Sequence, residues 1–406
     1  MTPPPAPTAQ QPRSGTPLEV LLVFFKLGLT CFGGPIAHLG YFRDEFVVRR
    51  RWLDEQSYGD LVGLCQFLPG PASSQVGFSI GLKRAGALGA LAAWTGFTLP
   101  SALALVLFAY GAAALDGPLG TGLLHGLKLT AVAIVAQAVW GMSRQLCPDR
   151  DRATIAVAAA LIVLLSAIPI AQLGAIALGG IAGILWCRSD ALQNFGDVGA
   201  RVSRPIGVAA LLGFVVLLLG LPLLAQLSGS SIVAAFDAFY RSGALVFGGG
   251  HVVLPLLRDA FVGPGWVSDD AFLAGYGAAQ AVPGPLFSFA AYLGAIAAPV
   301  QGLVGAAIGL VGIFLPGFLI LLGVLPFWHG LRRYPAAQAM MRGVNAAVVG
   351  LLGAALYSPV WTSTIRGTTD VAAALTGFAL LTIWRVPPLV VVAFSAAAGI
   401  AGALFG

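Results

Sequence analysis

Charged side chains are scarce in this chain: they make up 9% of its 406 residues. A soluble globular domain carries roughly 25%. Hydrophobic residues reach 58%. Bilayer hydrocarbon holds no water to solvate charge or open backbone, so this balance places the chain in lipid. Enzymatic motifs are missing too. There is no His-Glu-x-x-His, no Gly-x-Ser-x-Gly and no Walker-type phosphate loop, which argues against an enzyme and against ATP-driven work by this chain alone. The four cysteines, Cys31, Cys65, Cys147 and Cys187, show neither metal nor redox spacing, so no metal or other cofactor is expected. The net charge of +6 is spread through short loops rather than gathered into a stripe with aromatics. Nucleic acid is therefore not an expected partner.

What is present is apolar sequence in long runs. Segments extend over roughly 18–40, 57–82, 86–113, 120–143, 153–169, 170–187, 206–228, 236–256, 269–298, 302–328, 343–361, 368–384 and 386–406. A helical span needs about 20 residues, which predicts an all-α polytopic membrane protein with about 9–13 membrane segments. Residues 1–17, rich in Pro, Ala and Gln, lack an apolar core and read as a disordered tail rather than a signal peptide.

The chain repeats itself. Phe24, Gly28 and Phe32-Gly33-Gly34 recur as Phe239, Gly243 and Phe247-Gly248-Gly249, shifted by 215. Trp52 recurs as Trp266, and Gln66-x-x-Pro69-Gly70-Pro71 as Gln280-x-x-Pro283-Gly284-Pro285, shifted by 214. Gly96 and Leu99-Pro100 match Gly312 and Leu315-Pro316 at 216, and Gly126 matches Gly343 at 217. A common abundance of Gly and Pro does not explain matched order with single-residue drift. The expected organisation is a first membrane repeat over 18–205, a connecting helix over 206–228 and a second repeat over 229–406.

Glycine and proline interrupt four of the segments, at the two Phe-Gly-Gly motifs and the two Pro-Gly-Pro motifs. Proline removes a backbone donor and clashes one turn back. These segments are expected to be half-helix pairs, either re-entrant or spanning with an unwound centre. Loop charge differs between the halves. Loop 41–56 holds Arg43, Arg49, Arg50 and Arg51, while its mate 257–268 holds only Arg258. Loop 114–119 has no Lys or Arg, while its mate 329–342 has Arg332, Arg333 and Arg342. Under the positive-inside rule this bias predicts two inverted-topology repeats.

The candidate site follows from these breaks. Lys26 and Arg241 are repeat mates lying about a turn before the Gly-Gly breaks, and Lys128 is matched by Asn345. Acidic residues are few in the same segments: Asp60 and Asp237 sit near segment starts. Intramembrane charge is expensive and usually functional, so cations with few carboxylates suit an anion. Each broken helix also presents the N-terminus of its second half, with free N–H groups and the positive dipole end. Gly33, Gly34, Gly248 and Gly249 open one pair of breaks, and Pro69, Gly70, Pro71, Pro283, Gly284 and Pro285 the other. Gln66 and Gln280 precede the Pro-Gly-Pro turns, Ser73, Ser74 and Ser288 follow them, and His38 and His251 flank the Gly breaks. Such donors suit a compact tetrahedral dianion.

The stretches FFKLGLTCFGGPIAHLGYFRDEF (24–46), CQFLPGPASSQ (65–75), FYRSGALVFGGGHVVLPLLRD (239–259) and AQAVPGPLFSF (279–289) resemble the chromate transporter family in its long, two-domain form. The resemblance covers nearly everything after the N-terminal tail. It implies chromate efflux across a bacterial inner membrane and chromate resistance, with sulfate as a chemical analogue, by a monomer or homodimer. A sulfate or other oxyanion exchanger, or a non-transporting membrane scaffold, are the alternatives. The second half departs from the first by placing Gly250 at the position of Pro35 and Phe287 at that of Ser73. The halves are thus expected to meet substrate unequally.

Overall fold

A computed structural model describes residues 15–32, 34–112, 117–166, 171–187, 202–247, 250–298, 300–331 and 334–405. Most of the N-terminal stretch read as a tail lies outside these residues. Regular structure among the described residues is entirely helical. The first half contributes α1 (Pro17–Thr30), α2 (Gly34–Arg43), α3 (Glu55–Phe67), α4 (Ala72–Ala112), α5 (Gly117–Leu146), α6 (Arg150–Leu165) and α7 (Ala171–Trp186). A connecting helix α8 (Arg204–Ser228) follows. The second half contributes α9 (Ser231–Ala244), α10 (Val253–Phe261), α11 (Asp269–Ala279), α12 (Phe289–Ile296), α13 (Gly302–Val324), the single turn α14 (Trp328–Leu331), α15 (Pro335–Ala355), the turn α16 (Thr362–Thr364), α17 (Thr368–Thr382) and α18 (Pro388–Phe405). Six stretches, built on α4, α5, α8, α13, α15 and α18, are long and apolar enough to cross a membrane. The expected segments 57–82 and 86–113 are cut differently by the chain. α3 stops before the Pro-Gly-Pro turn, and α4 runs on through a kink at Ala85 and Gly86.

The short helices fold back on one another. α1 has 14 residues, and a continuous helix from Phe24 to Phe46 would separate those rings by about 33 Å. Their centroids are 5.0 Å apart, so α1 and α2 form a hairpin whose tip is the Gly-Gly break. The repeat mates Phe239 and Phe261 close to 4.4 Å across the other Gly break. In the second hairpin of the first half, the guanidinium of Arg84, late in the straight first part of α4, lies 4.8 Å from the ring of Trp52, just before α3. In the second half, Tyr292 Oη on α12 donates to the Ala271 carbonyl at the start of α11 at 2.9 Å. All four broken segments therefore double back rather than run straight. Matched caps start the two inner hairpins: Asp54 accepts from Ser57 N–H at 2.8 Å, and Ser268 accepts from Ala271 N–H at 3.2 Å.

Small residues set the packing of the long helices, as expected where lipid is as apolar as the side chains. A Cβ on Gly28 of α1 would meet the Gly96 carbonyl of α4 at 2.8 Å, and one on Gly243 of α9 would strike the Ile313 carbonyl of α13. Each half thus docks its first hairpin on its own long helix. The ends of the halves do the opposite. α6 and α7 pack on α15, and α17 and α18 pack on α5. Gly343 of α15 lies against Gly179 and Gly183 of α7, and Gly126 of α5 against Ser395 and Ala396 of α18. Gly126 and Gly343 are repeat mates, so each half lends its last two helices to the other in the same way. α8 packs on α9 and α13 along one side. Leu212, Val216, Leu219 and Leu223 remain exposed on it.

Candidate substrate site at the hairpin tips

The four tips meet across the two halves. Gly70 N–H, in the first Pro-Gly-Pro turn, donates to the Val246 carbonyl in the second half's Gly break at 2.7 Å. Gly284 N–H, in the second Pro-Gly-Pro turn, donates to the Cys31 carbonyl in the first half's break at 2.9 Å. Gly70 and Gly284 are mates, and so are Val246 and Cys31, which makes the exchange reciprocal. The turns also lean on the opposite long helix in matched fashion: a Cβ on Gly70 would meet Gly317 Cα at 3.0 Å, and one on Gly284 would meet Ser101 Oγ at 2.8 Å. Gly250 approaches the Pro35 ring, its own mate position. A two-fold relation produces this pattern, since mates exchange contacts and touch each other at the axis.

The side chains around the tips are unequal. On the first half's side, His38 of α2 is 1% exposed, and its Nδ1 lies 3.4 Å from Ser73 Oγ in the first turn of α4. Its Nε2 and the Ser74 hydroxyl are buried with no partner among the described residues. Gln75 N–H is the first of α4 to find a carbonyl, Pro71 O at 2.9 Å. The N–H groups of Ala72, Ser73 and Ser74 are left without one among the described residues, as at any open helix start. Gln75 pins this arrangement by donating from Nε2 to both Pro69 O and Gly317 O at 2.9 Å. On the second half's side the corresponding positions are Val253, Phe287, Ser288 and Phe289. There a tight turn over Leu286–Ser288 satisfies Ser288 locally: its N–H reaches Pro285 O at 3.0 Å and its Oγ reaches the same carbonyl at 2.7 Å. The free donor on that side is Gln280 Nε2, buried without a partner among the described residues.

The sequence-derived cations sit away from the tips. Lys26 is exposed on α1. Arg241 is 48% exposed on α9 and ion-paired at 2.7 Å with Asp237, which is only 6% exposed. This pair lines a cleft of about 380 Å³ that also holds Ser242, Asp259 and Gln172, the last donating to Asp259 at 2.5 Å. Lys128, 6% exposed on α5, is paired with Asp270 of α11 at 2.7 Å across the two halves. Its mate Asn345 keeps a buried Oδ1 without a partner among the described residues. His251 Nδ1 is bonded to Tyr276 Oη at 2.7 Å. Gln66 is exposed at the end of α3. Gly34 begins α2, whereas Gly33, Gly248 and Gly249 lie outside the described residues. No motif marks Gln75, and the sequence places Asp237 only near a segment start. The i,i+4 spacing of Asp237 to Arg241 was the available signal for their pairing.

Paired broken-helix hairpins, long glycine-packed apolar helices and a protein-enclosed junction of irregular backbone define a polytopic membrane transporter. The chromate transporter family model matches residues 18–184 and again 233–400, once for each half. The chain belongs to that family. It is 30% identical over 391 residues to the chromate transport protein of Pseudomonas aeruginosa, covering 93% of this chain and 90% of the relative. It is 25% identical over 387 residues to the chromate transport protein of Cupriavidus metallidurans, covering 94% and 92%. An uncharacterized transporter of Methanocaldococcus jannaschii is 26% identical over 378 residues, covering 92% and 87%. No solved structure matches the chain.

Proposed function

We propose that the chain exports chromate across a bacterial inner membrane and so confers chromate resistance, with the anion passing through the junction of the four hairpin tips. The observation that carries this reading is the junction itself. It is where irregular backbone from both halves meets inside protein, lined by turns, open N–H groups and hydroxyls rather than by side-chain charge. Irregular backbone at membrane depth is tolerated where it is enclosed by protein or lines a substrate path. Relatives carrying the printed name chromate transport protein supply the substrate.

The two halves are inverted in this reading. Folding back of the first half's hairpins gathers Arg43, Arg49, Arg50, Arg51, Lys83 and Arg84 around one set of hairpin openings. The matching openings of the second half have Arg258, which is paired with Asp269 at 2.8 Å. The positive-inside rule then puts the first set in the cytoplasm and the second outside. Arg241 lies on the route, because its cleft runs inward to Ser242, Leu245 and Leu256, close to the Val246 break. Lys26 holds the matching position on the first half. An inside-negative potential favours expulsion of a dianion by about 4.6 kcal/mol at ~100 mV.

The test is uptake of labelled chromate into inverted membrane vesicles, with sulfate as competitor, for the wild type and the Lys26→Ala/Arg241→Ala variant. Saturable accumulation that follows the imposed potential supports export, and its loss in the double variant places the cations on the route. Accumulation of sulfate in preference to chromate moves the assignment to a sulfate carrier. No accumulation of either anion by well-folded wild type overturns the transport reading.

A further inference from the structure

The geometry points to an oxyanion subsite built on one half alone: the N-terminus of α4, completed by Ser74 Oγ and His38 Nε2. It rests on the transport reading and names the part of the junction that grips a tetrahedral dianion.

Three observations converge there. The start of α4 offers the N–H groups of Ala72, Ser73 and Ser74 with no acceptor among the described residues, followed by a straight run to the kink at Ala85. Helix starts of this kind bind phosphate- and sulfate-like anions through the N–H groups and the dipole. Ser74, 3% exposed, keeps its hydroxyl buried and without a partner among the described residues in that same first turn. His38, 1% exposed, is placed against the turn by its Nδ1 contact with Ser73 Oγ and by an interaction of the ring with the Cys31 backbone, and its Nε2 has no partner in hydrogen-bonding geometry among the described residues. A buried hydroxyl and a buried ring nitrogen left unpaired are each costly, and an anion accepting from both, with the ring nitrogen protonated, removes the deficit. The ring tautomer this needs is the one in which the Ser73 hydroxyl donates to Nδ1 and Nε2 carries the proton.

The repeat makes the argument sharper, because the matching positions of the second half carry different side chains. At His38 it has Val253, at Ser73 it has Phe287 and at Gln75 it has Phe289. It keeps a serine at the position of Ser74, but Ser288 uses its hydroxyl and its N–H on Pro285 O. Phe287 and Phe289 are 2% and 0% exposed, so this side of the junction is closed by aromatic packing. What the second half adds is one unpaired amide, Gln280 Nε2.

The experiment measures chromate binding to the purified full-length protein in detergent by isothermal titration, with sulfate as a second probe and size-exclusion elution as the folding check. Ser74→Ala removes a group with no partner among the described residues, so the variant folds, and chromate affinity falls on the order of tenfold, the loss of one hydrogen bond to a charged acceptor. His38→Val, which installs the second half's residue, weakens binding at least as much. Ser288→Ala provides the comparison between the halves. A larger loss at Ser74 than at Ser288 supports the one-sided site, and equal losses overturn it. Wild type that transports chromate while Ser74→Ala and His38→Val bind it unchanged overturns the subsite and leaves the transport reading standing. Wild type that neither transports nor binds any tetrahedral oxyanion overturns both.

Discussion

Replacing the turn glycines by alanine tests whether the tips are as tightly built as the reciprocal hydrogen bonds imply. Gly70 has φ +119° and Gly284 has φ +103°, both in the region that a side chain disfavours. Holding alanine there costs about 1–3 kcal/mol from backbone strain alone. The added methyl group also needs space. At Gly70 it meets Gly317 Cα at 3.0 Å, a backbone atom of the opposite half, and Gln75 Nε2 at 3.0 Å, which is fixed by its two carbonyl bonds. At Gly284 the nearest atom is Ser101 Oγ at 2.8 Å, the end of a side chain that can rotate away, and the next is Phe97 O at 3.2 Å. Overpacking in a closed core adds about 1–3 kcal/mol. Gly70→Ala is therefore expected to lose roughly 2–6 kcal/mol, and Gly284→Ala to fall at the low end of that range. Reversible unfolding in mixed micelles, followed by far-ultraviolet circular dichroism, gives both values. Two variants within about 0.5 kcal/mol of wild type, a change typical of neutral surface positions, would refute the close contact. So would a reversed order, with Gly284→Ala the more damaging.

Two further outcomes follow from pairings across the halves. Lys128 is buried while its partner Asp270 is 69% exposed, so removing either one has unequal effects. Asp270→Ala strands a buried ammonium and is expected to lose about 3 kcal/mol, whereas Lys128→Met leaves a carboxylate that water can solvate and loses about 1 kcal/mol or less; the same unfolding assay reads the difference, and equal losses would count against the burial. The exchanged terminal helices predict that a chain divided within 188–201 still assembles. The tagged first half should retain the second through α7 on α15 and α5 on α18, and clean separation in mild detergent would argue against the exchange.

The breaks and the duplication were readable in the sequence because glycine and proline act on local backbone, and local backbone is what a motif encodes. Phe24, Gly28 and Trp52 recur with their mates, and in the structure the same residues line the same contacts in each half. Which way the broken segments turn was not readable. A straight span with an unwound centre and a hairpin have the same composition, and the choice is made by ring contacts such as Phe24 with Phe46. The exchange of α6–α7 and α17–α18 was equally hidden. In lipid, a stripe of glycines such as Gly179 and Gly183 specifies close approach to another helix without specifying which one. The cations were found as residues but not as pairs. Lys128 meets an aspartate of the other half, and no spacing announces a contact of that sequence separation. The polar inequality of the tips, by contrast, is partly visible in the sequence as Phe287 opposite Ser73, whereas the approach of His38 to Ser73 is set by the fold.

On the proposed reading, the pairing of the charges bears on how the potential acts. Lys128 and Arg241 are offset by Asp270 and Asp237, and Arg84 by Glu19, while Lys26 is exposed on α1, away from the tips. The tip donors are N–H groups, a hydroxyl and an imidazole. A carrier whose moving site held two uncompensated cations would become neutral when loaded with a dianion, and the membrane potential would then act on its empty return. A site made of neutral donors carries the full double charge of its cargo when loaded. The roughly 4.6 kcal/mol available at ~100 mV is then spent on the outward step itself. Neutral donors also serve release. A dianion seated between buried ammonium and guanidinium groups would leave an expensive unpaired charge behind it. One held by a helix N-terminus leaves only N–H groups that water, or the next anion, can take up, and transport requires a site that lets go as readily as it binds.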